Sequence, residues 1–402
     1  VATDGPNRRT LAAGSLVVAR LVYAFNWYDI GPLQPAIAAS YGTSTSQVSL
    51  SLALFLLGVG VFQLPAGWAS LRWGPRRVSI VGLFLLGGSA VASALSPSFV
   101  LFLGLRFLVG VGAALFFSPA LGLMARYYSD SGRGLAIGLF NGAFSLGAGI
   151  SVLVAAVLVG IVGWQWTLAL GGILMLLLAV QNELSLPHLP EERSRDPRDS
   201  SEVAEVLRNR GIWALALGLV GFWTADYAVP QYFVQFGESF HHLGPATAGT
   251  LALLFVVSSF PGGPVGGVAA ERSTRPRALL AALTGGVALS VAGLVIAPVW
   301  ALGPLCVGAG VLAGAVFAVL YVLGAGSVET TGGRVALSLG LINGLQVLLG
   351  SGLVLVGGYL YFGPGHYNLG WEYLALITVA TLVVLLGVRP GSARTPRDPA
   401  IP

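Results

Sequence analysis

Long apolar runs alternate with short polar, glycine- or proline-marked breaks along almost the whole chain. A helix needs roughly 20 predominantly apolar residues to cross the hydrocarbon core of a bilayer. Twelve segments reach that length: 14–39, 47–70, 78–95, 99–124, 135–160, 165–183, 212–235, 247–270, 278–297, 301–327, 336–361 and 371–388. Most breaks carry residues that stop helices, such as Gly74-Pro75, Ser96-Pro97, Pro298, Gly332-Gly333 and Gly363-Pro364-Gly365. The runs are continuous and do not alternate, which excludes a β-barrel. The pattern predicts an all-α membrane protein with twelve transmembrane helices, here called spans 1 to 12.

Composition agrees, with 55% hydrophobic and only 9% charged residues; ordinary globular chains carry roughly 25% charged. A surface with so few charges must face lipid. The net charge of +5 does not indicate nucleic-acid binding, because the basic residues, all but Arg20 and Arg106, fall between the apolar runs instead of forming one face. All 21 are arginine. They precede span 1 (Arg8, Arg9) and lie between spans 2 and 3 (Arg72, Arg76, Arg77) and spans 4 and 5 (Arg126, Arg133). Five more lie between spans 6 and 7, three after span 8, Arg334 after span 10, and three after span 12, while the alternate loops have none. By the positive-inside rule both termini are expected in the cytoplasm, the protein being a multi-pass plasma-membrane protein with an even number of spans. The first run has no small-residue cleavage site, so it is expected to remain as a span. The lone Cys306 allows no intrachain disulfide.

The one long polar stretch, 184–210, is expected to be a cytoplasmic linker, with Asp199 and Glu202 spaced as a capping box for a short surface helix. It divides an N-terminal bundle (1–183) from a C-terminal bundle (211–390), followed by a tail (391–402). The two halves repeat each other. Gly67-Trp-Ala-Ser-Leu71-Arg72 matches Gly267-Val-Ala-Ala-Glu271-Arg272, and Gly138-Leu-Phe-Asn141-Gly142 matches Gly340-Leu-Ile-Asn343-Gly344. Trp27 and Asp29 precede Pro32 as Trp223 and Asp226 precede Pro230. Two pseudo-symmetric six-helix bundles, related about an axis along the membrane normal, imply a cavity between them near mid-membrane.

These motifs resemble those of the major facilitator superfamily over about residues 11–390. The family's loop motif, Gly-x-x-x-Asp-Arg-x-Gly-Arg-Arg, is approximated by Gly67 through Arg72, Gly74 and Arg76, with Leu71 at the acidic position. The second-half copy keeps the acid as Glu271-Arg272. Arg106-x-x-x-Gly110-x-Gly112 is similar to the fourth-helix motif, and Arg133-Gly134 fits the entry to span 5. Span 5 lacks the Gly-Pro ending of the antiporter motif. The resemblance implies alternating access by two rocking halves, with a cytoplasmic gate made by Gly67, Arg72, Gly74, Arg76, Arg133, Glu271 and Arg272. In particular it implies that Glu271 faces the start of span 5, a role Leu71 cannot play toward Arg334.

Three intramembrane charges stand out. A carboxylate near mid-bilayer costs about 2.5–3.5 kcal/mol or more, so Asp29 and Asp226 read as functional groups. Arg106 lies at comparable depth, and Asp29 with Arg106 is the expected proton-coupling pair. Burial favours the neutral acid and a nearby guanidinium favours the anion, so such a group can switch when the pair opens. Asn141 and Asn343 read either as substrate ligands or as interhelical hydrogen-bonding groups. Tyr23, Asn26, Trp27, Gln34, Trp223, Tyr227, Gln231, Tyr232, Tyr321 and Gln346 form an aromatic and amide set on the cavity spans. Arg20 reads as a residue snorkelling to the cytoplasmic interface, and His241, His242 and His366 as solvated outer-loop residues.

No metal cluster or nucleophile triad stands out, and without lysine no Walker A sequence is possible. The chain is expected to be no enzyme, to need no cofactor or metal, and to act as a monomer on a small-molecule substrate in the lipid bilayer, with protons as the coupled ion. The alternatives are a facilitative uniporter and a non-transporting sensor or scaffold.

Overall fold

The structure, a computed structural model, describes residues 6–128, 132–187, 201–328, 332–360 and 367–387. The Asp199 capping residue, most of the linker, His366 and the tail lie outside these. Among the described residues are fourteen helices and no strand. They are α1 (Pro6–Tyr28), α2 (Ile30–Tyr41), α3 (Thr45–Trp73), α4 (Pro75–Ala94), α5 (Phe99–Tyr127), α6 (Arg133–Ser185) and α7 (Ser201–Arg208), followed by α8 (Arg210–Gly218), α9 (Val220–Ser239), α10 (Pro245–Arg272), α11 (Pro276–Ile296), α12 (Val299–Gly326), α13 (Gly332–Leu360) and α14 (Tyr367–Gly387).

Three irregularities reconcile fourteen helices with twelve spans. Gly163 divides α6 with φ 81° and ψ 168°, a backbone that only glycine adopts without strain, so α6 holds spans 5 and 6. Span 1 is α1 plus α2, interrupted at Asp29. Pro32 has no amide to donate to the Tyr28 carbonyl and its ring crowds that carbonyl, which breaks the ladder there. Span 7 is α8 plus α9, interrupted at Leu219. Span 12 threonines bind the opened backbone: the Gly221 N–H donates to Thr381 Oγ1 at 3.1 Å, and Thr378 Oγ1 donates to the Gly221 carbonyl at 3.1 Å. The short α7 belongs to the linker.

Large apolar side chains face outward around the whole bundle, for example Leu153 and Ile161 on span 5, Leu289 and Ile296 on span 9, and Leu376 and Val383 on span 12. Ile296 is 87% exposed, a burial state that only lipid makes favourable for such a side chain. His241 departs from its reading as a solvated residue. Its Nε2 lies 2.8 Å from the Leu294 carbonyl and its ring packs edge-on against Phe236 and Phe240, which ties the end of α9 to α11.

Two seams join the halves, and they obey the sequence repeat. In the first, α3 meets α13: a Cβ on Gly67 would strike the Leu337 backbone and one on Gly340 the Gln63 carbonyl, and one on Gly344 would press on the Gln63 side chain and the Gly60 carbonyl. In the second, α10 meets α6: Gly267 lies against Gly134, Gly263 against Gly138, and a Cβ on Gly142 would come within 2.7 Å of the Phe260 carbonyl. The α3 and α10 positions sit at one constant sequence offset, and the glycines of α6 and α13 at almost the same one. Only glycine lets the backbones approach this closely. Both seams run from mid-membrane to the arginine-rich side, so they close the molecule on that side.

Candidate substrate cavity and gate

Between the halves lies a cavity walled by spans 1, 4, 5, 7, 8, 10 and 11. Its volume is about 70 Å³, room for roughly five waters. Span 1 presents Arg20, Tyr23, Trp27 and Tyr28 to it, a stripe at helical spacing. Arg20 is 7% exposed. Its guanidinium lies 4.5 Å from the Tyr23 ring centroid, 4.4 Å from Phe117, 5.3 Å from Phe140 and 4.4 Å from Phe144. These ring faces favour a cation but accept no conventional hydrogen bond, and Arg20 Nε and Nη1 have no partner. Among the described residues no carboxylate pairs with it. The reading of Arg20 as a snorkelling residue is thus overturned: it points to the cavity, because it shares a helix face with Tyr23 and Trp27.

Span 7 supplies the opposite wall with Trp223, Asp226, Tyr227 and Pro230. Asp226 is half-buried and takes part in no ion pair among the described residues. Trp223 and Tyr227 stack with centroids 5.2 Å apart and planes 10° apart. Asn141 and Asn343 face each other's halves across the cavity. The Asn141 amide nitrogen donates back to the Ile137 carbonyl at 3.0 Å, leaving its oxygen free. Asn343 Oδ1 accepts from Tyr321 Oη at 3.0 Å, leaving its nitrogen free.

Of the residues expected to touch substrate, Tyr23, Trp27, Asn141, Trp223, Asp226, Tyr227, Tyr321 and Asn343 line this cavity. Asn26, Gln231 and Gln346 do not. Asn26 points the other way, its amide directed at the Val22 and Gly171 carbonyls. Gln231 is exposed, and Gln346 Nε2 donates to the Leu215 carbonyl of span 7 at 3.3 Å. Gln34 and Tyr232 also lie outside the walls.

Asp29 and Arg106 meet outside the cavity. Arg106 Nη2 donates to Asp29 Oδ1 at 3.3 Å and to the Asn26 carbonyl at 3.1 Å, and both side chains are fully buried. The pair spans the break in span 1. It is incompletely satisfied, since Asp29 Oδ2 and Arg106 Nε and Nη1 have no partner.

On the arginine-rich side, Glu271 Oε1 accepts from the Gly134 N–H at 2.6 Å, at the positive start of span 5. The structure thus brings Glu271 to the helix end beside Arg133. The other half meets the same need differently. Arg334, at the start of span 11, pairs with Glu202 at 3.0 Å and Glu205 at 3.3 Å, both from the linker helix α7. The linker supplies the acids that Leu71 lacks. Arg76 is buried and binds the end of span 6 through the Leu186 carbonyl at 2.8 Å and Glu183 Oε1 at 2.8 Å. Gly74 makes the turn between spans 2 and 3, whereas Arg72 and Arg272 are exposed, Arg72 resting over Trp68.

If these contacts hold the side closed, Glu271→Gln and the pair Glu202→Gln with Glu205→Gln should each open it. Spin labels at positions 77 and 275 should report longer distances in both variants, with populations shifted about threefold to tenfold. Leu71→Asp should do little, because Arg334 is already paired. Unchanged distances in both Glu variants would remove the gate role.

The profile of the Major Facilitator Superfamily matches residues 16–354. The chain belongs to that superfamily. Among curated relatives, the nitrite extrusion protein of Bacillus subtilis is 24% identical over 386 residues, covering 94% of this chain and 93% of that protein. A probable L-galactonate transporter of Escherichia coli is 24% identical over 57% of this chain and 55% of its own length. Human monocarboxylate transporter 11 is 35% identical over 53% of this chain and 47% of its own length. The chain therefore spans about half the length of these last two in the match. A solved human organic anion transporter superposes with a TM-score of 0.75 at 18% identity, covering 95% of this chain and all 100% of that one, a likeness of fold. The chain is a multi-pass membrane transporter of this superfamily.

Proposed function

We propose that this protein is a secondary transporter that carries a small acid in its anionic form, by alternating access of two rocking halves. The observation that carries the reading is Arg20: a buried cation in the central cavity, ringed by aromatic faces and lacking any acid of its own. A buried cation without a counter-charge is costly, and an incoming anion removes that cost. Relatives named for nitrite, L-galactonate and monocarboxylates support an anionic substrate, and the small cavity favours a small one.

The moving halves are 1–183 and 211–390, with 184–210 as cytoplasmic linker, 391–402 as tail and the arginine-rich side facing the cytoplasm of a plasma membrane. One chain walls the whole cavity, so the monomer is the working unit. Transport is coupled to protons through Asp29 and Arg106. Counterflow in liposomes tests the anion reading: labelled acetate, propionate, lactate and nitrite should exchange, and neutral sugars and simple amines should not. Equal exchange of neutral sugars, or no exchange of any acid, would refute it.

A further inference from the structure

We infer that the substrate is a small zwitterion, with an acid at one end for Arg20 and an ammonium group at the other for Asp226. This rests on the anion reading above and narrows it. The cavity carries opposite charges on its two walls, Arg20 on span 1 and Asp226 on span 7. On the span 1 wall the unfilled groups are donors: Arg20 Nε and Nη1, Tyr23 Oη and Trp27 Nε1 have no partner. Arginine and tryptophan nitrogens can only donate, which suits a carboxylate.

The Asp226 pole offers acceptors, beside the unpartnered Tyr227 hydroxyl, which can donate or accept. Its carboxylate faces the cavity unpaired. Four residues on in α9 stands Pro230, which has no amide to donate back, so the Asp226 backbone carbonyl has no helical i+4 partner. Two amides bridge the poles: Asn141 on span 5 turns a free oxygen to the cavity, and Asn343 on span 11 a free nitrogen. The stacked Trp223 and Tyr227 rings, one turn before and beside Asp226 on the same helix face, add the aromatic surface that an ammonium group favours. An ammonium group brings three donors and no acceptor, the complement of the Asp226 carboxylate and carbonyl.

The two charges line one small cavity from opposite halves of the molecule, yet no ion pair joins them. Pairing would relieve the cost of burying both. Arg20 is instead held among its four rings on span 1, and Asp226 stays on span 7. A plain anion answers only the first charge and adds repulsion at the second. A ligand with both charges answers each and joins the two halves through itself.

Matched probes test this on the purified full chain: acetate with glycine, propionate with β-alanine, and butyrate with γ-aminobutyrate. Binding is read by calorimetry, and by thermal shift in detergent. In at least one pair the amino member should bind about tenfold tighter or more than its plain acid, the effect of one charge-assisted hydrogen-bonded contact. Asp226→Asn should reduce that advantage to about threefold or less, with the plain acids binding at least as tightly as to wild type because the repulsion at Asp226 is gone. The wild-type pairs alone decide the matter if this variant fails to fold. Plain acids that bind as tightly as their amino partners in every pair overturn the zwitterion and leave the anion reading intact. Such a result, with Asp226→Asn tightening the plain acids, would assign Asp226 a proton that accompanies the anion. No binding by any acid, with Arg20→Gln silent, overturns both.

Discussion

Arg20→Gln is expected to lower binding and exchange of small acids by on the order of a hundredfold or more, without loss of stability. Truncating one partner of a desolvated charge pair costs about 2–5 kcal/mol, and every tenfold in affinity corresponds to about 1.4 kcal/mol. Here the partner is the substrate, so the loss falls entirely on the bound state. The empty protein behaves oppositely. It carries Arg20 as a buried cation with unfilled donors, and glutamine removes that desolvation cost. The variant should therefore melt at the same temperature as wild type or higher, yet show no thermal shift with acids. Arg20→Lys separates charge from shape. Lysine keeps the cation but loses the planar fork, so partial activity with a raised KM is expected. A variant that melts early and binds acids normally would show that Arg20 only packs among Phe117, Phe140 and Phe144.

The fold was readable because lipid imposes a length on every span, and that length is a property of sequence alone. One interruption had a local cause, since Pro32 marks where span 1 opens, whereas the break of span 7 at Leu219 has no proline beside it. The walls of the cavity were only partly readable. Depth can be counted along a run, but direction requires the helix face, and neighbours on a helix point about 100° apart. So Asn26 and Trp27 went together in the sequence reading and part in the structure, as do Pro230 and Gln231. Arg20 was misread for the same reason. Its distance from the cytoplasmic end allowed snorkelling, whereas its spacing to Tyr23 and Trp27 placed it on the cavity stripe, a signal present in the sequence and not used. The pairing of Arg334 with Glu202 and Glu205 had no such signal. Nothing in the spacing of a linker helix says which distant helix end it will cover, and the absence of an acid at Leu71 stated only the need.

Asp29→Asn is the second substitution with a large expected effect, and it separates coupling from binding. Asp29 lies outside the cavity, fully buried against Arg106 at the break in span 1. It can therefore influence transport without touching the substrate. Asparagine keeps the shape and one hydrogen-bonding oxygen but fixes the group as neutral. Exchange of internal for external substrate needs no return of the empty carrier, whereas net uptake requires the proton to leave and the pair to re-form. Accumulation driven by a pH gradient should fall to the level of empty liposomes, with counterflow kept within about threefold of wild type, because the Arg20 pocket is intact. Arg106→Gln should be worse for stability. It leaves Asp29 buried without its counter-charge, a loss of about 3–5 kcal/mol if the carboxylate stays ionised, while Asp29→Asn leaves Arg106 its bond to the Asn26 carbonyl. The double variant Asp29→Asn with Arg106→Gln removes both charges and should recover much of that stability without recovering gradient-driven uptake. Retained accumulation in Asp29→Asn would remove the proton role and leave the pair as a brace across the break in span 1. Loss of counterflow together with uptake, in protein that melts normally, would mean that the brace shapes the binding site itself.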